Sequence, residues 1–364
     1  MKRNIMFTIF GVIIIFLVFS FCGCGSSGNT NTPPSDSPSD GGTTTDTYTY
    51  AGGWGSEGNE GGQFKHPVRL TLNGNDAYVI DWGDCVTIMP RIQKLSAADG
   101  SFQSYIGSHV DEDGQFKLPY DVKIREGMIY VVDAELHCVL RFNETTGQYL
   151  GWLGKAKEDG TTGWHNSGTS VAGKEDGAFS APNAIAFDSA GNMYVADMGN
   201  HRIQKYDPDG KFLGWWGKDS ADGHGWHDPG SNLEGAPGSG EGEFDQPCDV
   251  AVGPGDCIYV IDNFNRRVQK FTSDGRYVKQ WGGFSSTYAL CVDSDGFVYV
   301  LNVGGVSSPI VKKFNADGDL LAAWGEYGYQ AGQFQCPTDV DVDAAGQVYV
   351  VDAEDHRVKI FRAP

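Results

Sequence analysis

The sequence predicts an all-β chain folded as a closed ring of six four-stranded sheets. Three observations carry that reading. A pattern of about fifty residues recurs along the chain. Its Tyr-Val element occurs six times, at Tyr78, Tyr130, Tyr194, Tyr259, Tyr299 and Tyr349. The last copy stops after its third strand, at Phe361, while residues 48–55 match a fourth strand in register with residues 212–217.

Each copy opens on Gly-x-Phe-x-x-Pro and runs through an alternating apolar stretch to a Gly turn. Tyr-Val-x-Asp follows, then a short loop and Arg-Ile-Gln-Lys. An Asp-Gly turn and a run ending in Trp-Gly complete it. The clearest copy holds Phe179, Pro182, Tyr194, Asp197, Arg202, Asp209-Gly210 and Trp216-Gly217. Four short alternating runs between turn residues make four strands per copy. Asp209-Gly210, Asp274-Gly275 and Asp317-Gly318 are hairpin signals between the third and fourth strands. An N-terminal strand completing the sixth sheet joins the ring's ends and removes the open sheet edges. The architecture expected is a six-bladed β-propeller.

These repeats resemble the NHL-repeat propellers over residues 47–364. Asp197-x-x-Asn200-His201-Arg202-Ile203 matches the family signature, and Asp262 to Val268 and Asp352 to Val358 follow it closely. The fifth copy departs, with Asn302 at the Asp position and no Arg after it. The second has Cys138 at the Arg position. The resemblance implies structural roles for most repeated residues. The ring Trp54, Ile106, Leu153, Trp216, Trp281 and Trp324 is expected to pack between blades, and the Asp–Arg pairs to tie second strand to third. The positions beside that Arg, His137, His201, Arg266 and His356, belong to the same consensus.

Composition narrows the function. The formal net charge is −20, which repels phosphate backbones and argues against nucleic-acid binding. Of eight cysteines, Cys22 and Cys24 lie near the N-terminus; Cys85, Cys138, Cys248, Cys257, Cys291 and Cys336 lie in the repeats, with no C-x-x-C spacing. They are either buried thiols or disulfides, and their spacing does not choose a pairing.

Lys2 and Arg3 precede an apolar run over residues 5–21. Residues 1–23 therefore read as a signal peptide. Phe21-Cys22-Gly23-Cys24 resembles a bacterial lipobox, with Cys24 as the lipidated residue. Gly25, rather than Asp, follows it, which resembles the outer-membrane sorting default. Residues 24–46 hold Ser, Thr, Pro, Gly and Asp with no large apolar side chain and are expected to form a disordered tether. The expected location is the cell envelope, on the outer membrane or cell surface.

Departures from the repeat mark candidate sites, because a fold alone assigns no function. Two connectors between copies are long, 155–177 and 218–243, and both contain Gly-Trp-His. Trp164, His165, Trp226 and His227, with Trp82 from the first copy, are expected to face a ligand; rings of this kind stack on a sugar, a peptide or an aromatic group. The alternative is that each Trp anchors its own loop. His165, His224 and His227 lack a recognised metal-ligand spacing. At the start of the innermost strand, Arg69, Asp121, Ala184, Asp249, Ala289 and Asp339 align. Asp121, Asp249 and Asp339 come from alternate blades and converge on the axis, where three carboxylates suit Ca²⁺. The competing reading is that each Asp caps nearby backbone.

No G-x-S-x-G, H-E-x-x-H or phosphate-binding loop occurs. The expected function is a non-enzymatic binding or scaffolding protein for a protein, peptide or glycan ligand on the loop face. The alternative is a metal-dependent lyase or lactonase-like hydrolase, classes found among related six-bladed propellers, with the channel carboxylates and a loop His. A third reading is an envelope protein that joins a larger assembly.

Overall fold

The computed structural model describes residues 48–84, 89–107, 114–221, 223–231, 233–304 and 310–364. The leader, Cys22, Cys24, the tether and Cys85 lie outside them. Among the described residues there are six antiparallel sheets, one per repeat. Blade 1 is Pro67–Asn73, Asp76–Asp81, Arg91–Ser96 and Phe102–Ile106. Blade 2 is Pro119–Arg125, Met128–Asp133, Cys138–Asn143 and Tyr149–Lys155, and blade 3 is Ala184–Phe187, Met193–Asp197, Arg202–Tyr206 and Phe212–Asp219. Blade 4 is Pro247–Gly253, Cys257–Asp262, Arg267–Phe271 and Tyr277–Trp281, and blade 5 is Thr287–Val292, Val298–Asn302, Val311–Phe314 and Leu320–Trp324. Blade 6 takes Pro337–Val342, Val348–Asp352 and Arg357–Arg362 from the end of the chain and Thr49–Trp54 from the start. Tyr50 pairs with Phe361 and Trp54 with Val358, so the ring closes as the repeat register requires.

The first strands of adjacent blades touch all the way round the ring. They therefore line the axis, and the fourth strands form the rim. The second strands are largely buried, and Met193–Asp197, Val298–Asn302 and Val348–Asp352 are buried throughout. A blade packs on both faces, so its middle strand meets apolar neighbours on either side and reads as a continuous apolar run. Rim strands alternate, as in Tyr277–Trp281, where every second residue is exposed. The core is divided into six clusters, one at each junction between blades. The ring from Trp54 to Trp324 is distributed among these six junctions, one member to each.

The repeated polar residues form a clamp. In blade 3, Asp197 accepts the backbone N–H of Ser180 at 2.8 Å and the Nε–H of Arg202 at 2.9 Å. Arg202 then donates to the carbonyls of Glu175 and Ala178, and Gln204 donates to Ala178. One buried carboxylate thus ties the second strand, the third strand and the incoming connector together. The same set recurs as Asp81–Arg91 at 3.1 Å and Asp262–Arg267 at 2.7 Å. Blade 6 solves it differently. Arg357 turns to Asp355 at 3.1 Å, and Lys359, at the Gln position, reaches Asp352 at 2.7 Å. In blade 2, where Cys138 replaces the Arg, Asp133 is held by the backbone N–H groups of Lys117, Leu118, Glu135 and Leu136. No helix among the described residues is long and apolar enough to cross a membrane.

Candidate functional site

Two regions gather the residues singled out in the sequence: the axis and the surface made by the two long connectors.

At the axis, five of the six first strands carry a β-bulge just before the aligned position, for example between Pro119 and Asp121 and between Pro337 and Asp339. A bulge skips one residue in the pairing and re-aims the next side chain. Asp121, Asp249 and Asp339 are all buried, and they surround the guanidinium of Arg69. Its Nη1 lies 2.9 Å from Asp339 Oδ1 and 3.1 Å from Asp249 Oδ2, and its Nε lies 3.8 Å from Asp121 Oδ1.

The second oxygen of each carboxylate, or the same one for Asp249, reaches the next blade. Asp121 accepts from Ile185 N at 2.9 Å, Asp249 from Leu290 N at 2.8 Å and Asp339 from Leu70 N at 2.7 Å. Blades 2 and 3, 4 and 5, and 6 and 1 are stapled in this way. One layer along the axis, Lys123 lies 3.2 Å from Asp121, and Asp341 accepts from Leu72 N at 2.8 Å. Four carboxylates therefore share two cations. Burial pushes Asp249 and Asp341 up to about 6, and it raises Asp339 as well.

The expectation of a Ca²⁺ site at Asp121, Asp249 and Asp339 needs correction. The residues do not fit a bound cation, because the point at which the carboxylates meet is occupied by Arg69. Among the described residues, no group of three or more His, Cys, Asp and Glu side chains is arranged to hold a metal. The signal was present in the alignment of the repeats, where Arg69 stands at the same position as the three acids.

The long connectors also depart from expectation. Each begins by adding a fifth strand to the rim, Thr162–His165 on blade 2 and His224–His227 on blade 3. Their aromatic side chains turn inward. Trp164 pairs across the strands with Leu153, and Arg141 lies over its ring at 4.2 Å. A Cβ on Gly210, whose φ is +82°, would meet the Trp164 indole at 1.8 Å. Elsewhere the ring Trp of the preceding blade covers that hairpin glycine, as Trp54 covers Gly100 and Trp281 covers Gly318. In blade 2 the ring residue is Leu153, too short for the task, and Trp164 takes it over. Blade 3 keeps Trp216, and Trp226 stacks beside it with centroids 6.1 Å apart over Gly275.

His165 stacks on Trp152 at 4.3 Å and His227 on Trp215 at 3.9 Å. Burial holds His227 below the ordinary imidazole value. Trp82 is 6% exposed and donates its indole N–H to Pro119 O at 2.6 Å. The five residues expected to face a ligand are thus anchors of strands and blade junctions. An aromatic ring gains more by covering neighbouring apolar surface than by remaining in water.

Beyond the fifth strands, the two connectors meet. Asp176 Oδ2 accepts from Gly230 N at 2.7 Å, and Lys174 pairs with Glu234 at 3.1 Å. Between them lies a groove of about 780 Å³, bordered by Thr162, Asp176, Lys211, Phe212 and Leu233. The Oδ1 of Asp176 is buried there with no hydrogen-bond partner. Sequence reasoning missed the groove, because neither connector carries a motif for it.

The consensus His positions link blades. His137 Nδ1 accepts the N–H of Ala181 at 3.0 Å, and His201 Nδ1 that of Gln246 at 3.1 Å. Burial lowers the pKa of both, which favours the neutral, accepting form.

A closed ring of six four-stranded blades, clamped in several blades by Asp–Arg–Gln sets, defines a six-bladed β-propeller. The NHL repeat profile matches residues 179–206 and 334–361. The chain is 28% identical over 262 residues to peptidyl-glycine alpha-amidating monooxygenase A of Xenopus laevis, covering 68% of this chain and 24% of that protein. It is 28% identical over 198 residues to NHL repeat-containing protein 3 of Mus musculus, covering 49% of this chain and 50% of that one. It thus spans about a quarter of the amidating monooxygenase and half of the second relative. Among solved structures, a streptogramin B lyase superposes with a TM-score of 0.52 at 11% identity, covering 83% of this chain and 94% of that one. A protein of unknown function from Bacteroides thetaiotaomicron superposes with a TM-score of 0.55 at 17% identity, covering 88% and 76%. These likenesses establish the fold.

Proposed function

We propose that this chain is a binding or scaffolding protein whose ligand is a protein, peptide or glycan held on the surface formed by the two long connectors. The observation that carries the reading is the groove of about 780 Å³ between them. The connectors depart most from the repeat, they brace one another, and they place a buried carboxylate oxygen without a donor beside the groove. That volume suits a ligand of a few residues or sugar units. The test is panning of the full chain on peptide-display and glycan libraries. A ligand retained by the wild type and weakened at least tenfold by Lys211→Glu with Leu233→Asp, at unchanged stability, supports the reading. A ligand indifferent to both substitutions overturns it.

The second reading is an enzyme acting at the channel mouth. It is favoured by the similarity to an amidating monooxygenase over 68% of this chain. Against it, the carboxylates that such a site was expected to use are committed to Arg69 and to neighbouring blades. Elemental analysis of protein purified without chelator, followed by lyase assays, separates the two readings.

We also infer a lipid anchor at Cys24 and a location at the envelope, from the apolar leader and the residues around that cysteine. Metabolic labelling with palmitate, lost in Cys24→Ser, is the expected result.

A further inference from the structure

We propose a second binding site, independent of the two-connector surface: the junction of blades 4 and 5 holds a peptide through a carboxylate. Three observations converge there.

The connector into blade 5 comprises only residues 282–286, less than half the length of the connectors at 55–66, 107–118 and 325–336. It keeps Gly282-x-Phe284, with Thr287 at the Pro position and Phe284 buried in the blade junction, but lacks the stretch that precedes this segment elsewhere, such as residues 56–61. Blade 5 keeps only part of the clamp: Asn302 accepts the backbone N–H of Ser285 at 2.9 Å, but the donors to the missing stretch are replaced. Asn302 stands at the Asp position, Ile310 at the Arg position and Lys312 at the Gln position. The preceding stretch and the Arg and Gln that would hold it are missing together, and a cavity of about 550 Å³ opens beside the shortened connector, bordered by Ser239, Asn265, Arg266, Gln280, Trp281 and Phe284.

The consensus His of blade 4 is Arg266. In blades 2 and 3 this position accepts a backbone N–H from the next blade. A guanidinium has no acceptor atom, so Arg266 cannot do this. Like the histidines it has a left-handed backbone, with φ +54°. Its side chain is exposed and makes no ion pair or hydrogen bond among the described residues. It is an uncommitted cation on the wall of a cavity, in a chain of net charge −20. Lys312 Nζ lies nearby, 3.5 Å from Gly283 O.

The ligand chemistry follows from the lining. A guanidinium pairs with carboxylate in a planar, two-pronged geometry. The half-buried Trp281 offers apolar surface beside it, and Phe264, 53% exposed, lies two residues before Arg266. The occupant is a short peptide with an acidic side chain next to an apolar one, lying where the other blades lay their own connector.

The test titrates the full chain by calorimetry with a pool of N-acetyl-Xaa-Glu dipeptides, a matched Xaa-Gln pool and inorganic phosphate. The acidic pool is expected to bind at least tenfold more tightly than the amide pool. Arg266→Gln is expected to abolish that preference without altering unfolding, because the side chain supports no other group. Equal or absent binding of the two pools overturns the proposal, as does a preference that survives Arg266→Gln. Phosphate binding as tight as that of the acidic pool also overturns it, since the site would then recognise a bare oxyanion.

Discussion

Nη1 of Arg69 lies 2.9 Å from Oδ1 of Asp339, and both side chains are almost wholly buried. The pair joins blade 1 to blade 6 at the axis, and the same nitrogen also holds Asp249 of blade 4. Removing one partner of a buried ion pair strands the other charge, at about 3–5 kcal/mol. Arg69→Met should therefore lower stability by about that much in urea unfolding. Adding Asp249→Asn and Asp339→Asn should recover part of the loss, because fewer charges then remain unpaired. Unchanged stability in Arg69→Met alone would show that the cluster does not hold the ring.

Asp341 gives a pH dependence. Its folded pKa is raised from 3.8 to about 6, chiefly by burial. A raised carboxylate pKa favours the folded state while the group is protonated. The contribution is complete below about pH 4 and is lost as pH rises through 6. Asp341→Asn removes this slope. The stability of the variant relative to wild type should rise by about 3 kcal/mol between pH 4 and pH 7. Unfolding curves at both pH values measure it, and a fall in the relative stability would refute the assignment.

Trp164 and Trp226 occupy equivalent positions with unequal burdens. The three atoms nearest a Cβ at Gly210 all belong to Trp164, whereas Trp226 shares Gly275 with Trp216. Trp164→Ala should cost about 3 kcal/mol and Trp226→Ala about half as much. Equal losses would mean that Leu153 does not leave the gap described for it.

Cys138, Cys248, Cys257 and Cys291 are free thiols. Burial raises Cys138 and Cys291 and pushes Cys248 up to about 12. The thiolate is the reactive form, so these three should resist iodoacetamide at pH 8 in the folded protein and react after unfolding. Rapid labelling of folded Cys248 would contradict the burial.

The fold was legible because propellers repeat. Six Tyr-Val elements report six blades, and the missing last strand reports the closure. The clamp was half legible. The Asp197–Arg202 pair follows from the motif, but the part of Gln204 in holding Ala178 O depends on where the connector runs. The sites were misread for a common reason. Trp164 in a Gly-rich loop looks exposed until Gly210 of the next blade is placed beneath it. Asp121, Asp249 and Asp339 look like metal ligands until Arg69, at the same repeat position, is brought between them.

Local sequence by itself determined the number of blades, the strand order and the way the ring closes, because turn residues and alternating burial act over a few residues. Only the tertiary structure decided which charges meet at the axis and which rings are buried. Asp339 and Arg69 are far apart in the chain, and their contact exists because ring closure places the first and sixth blades side by side. The open junction between blades 4 and 5 has the same origin. A short connector and an Arg in place of His are visible in the sequence, but the cavity they leave arises from the packing of neighbouring blades.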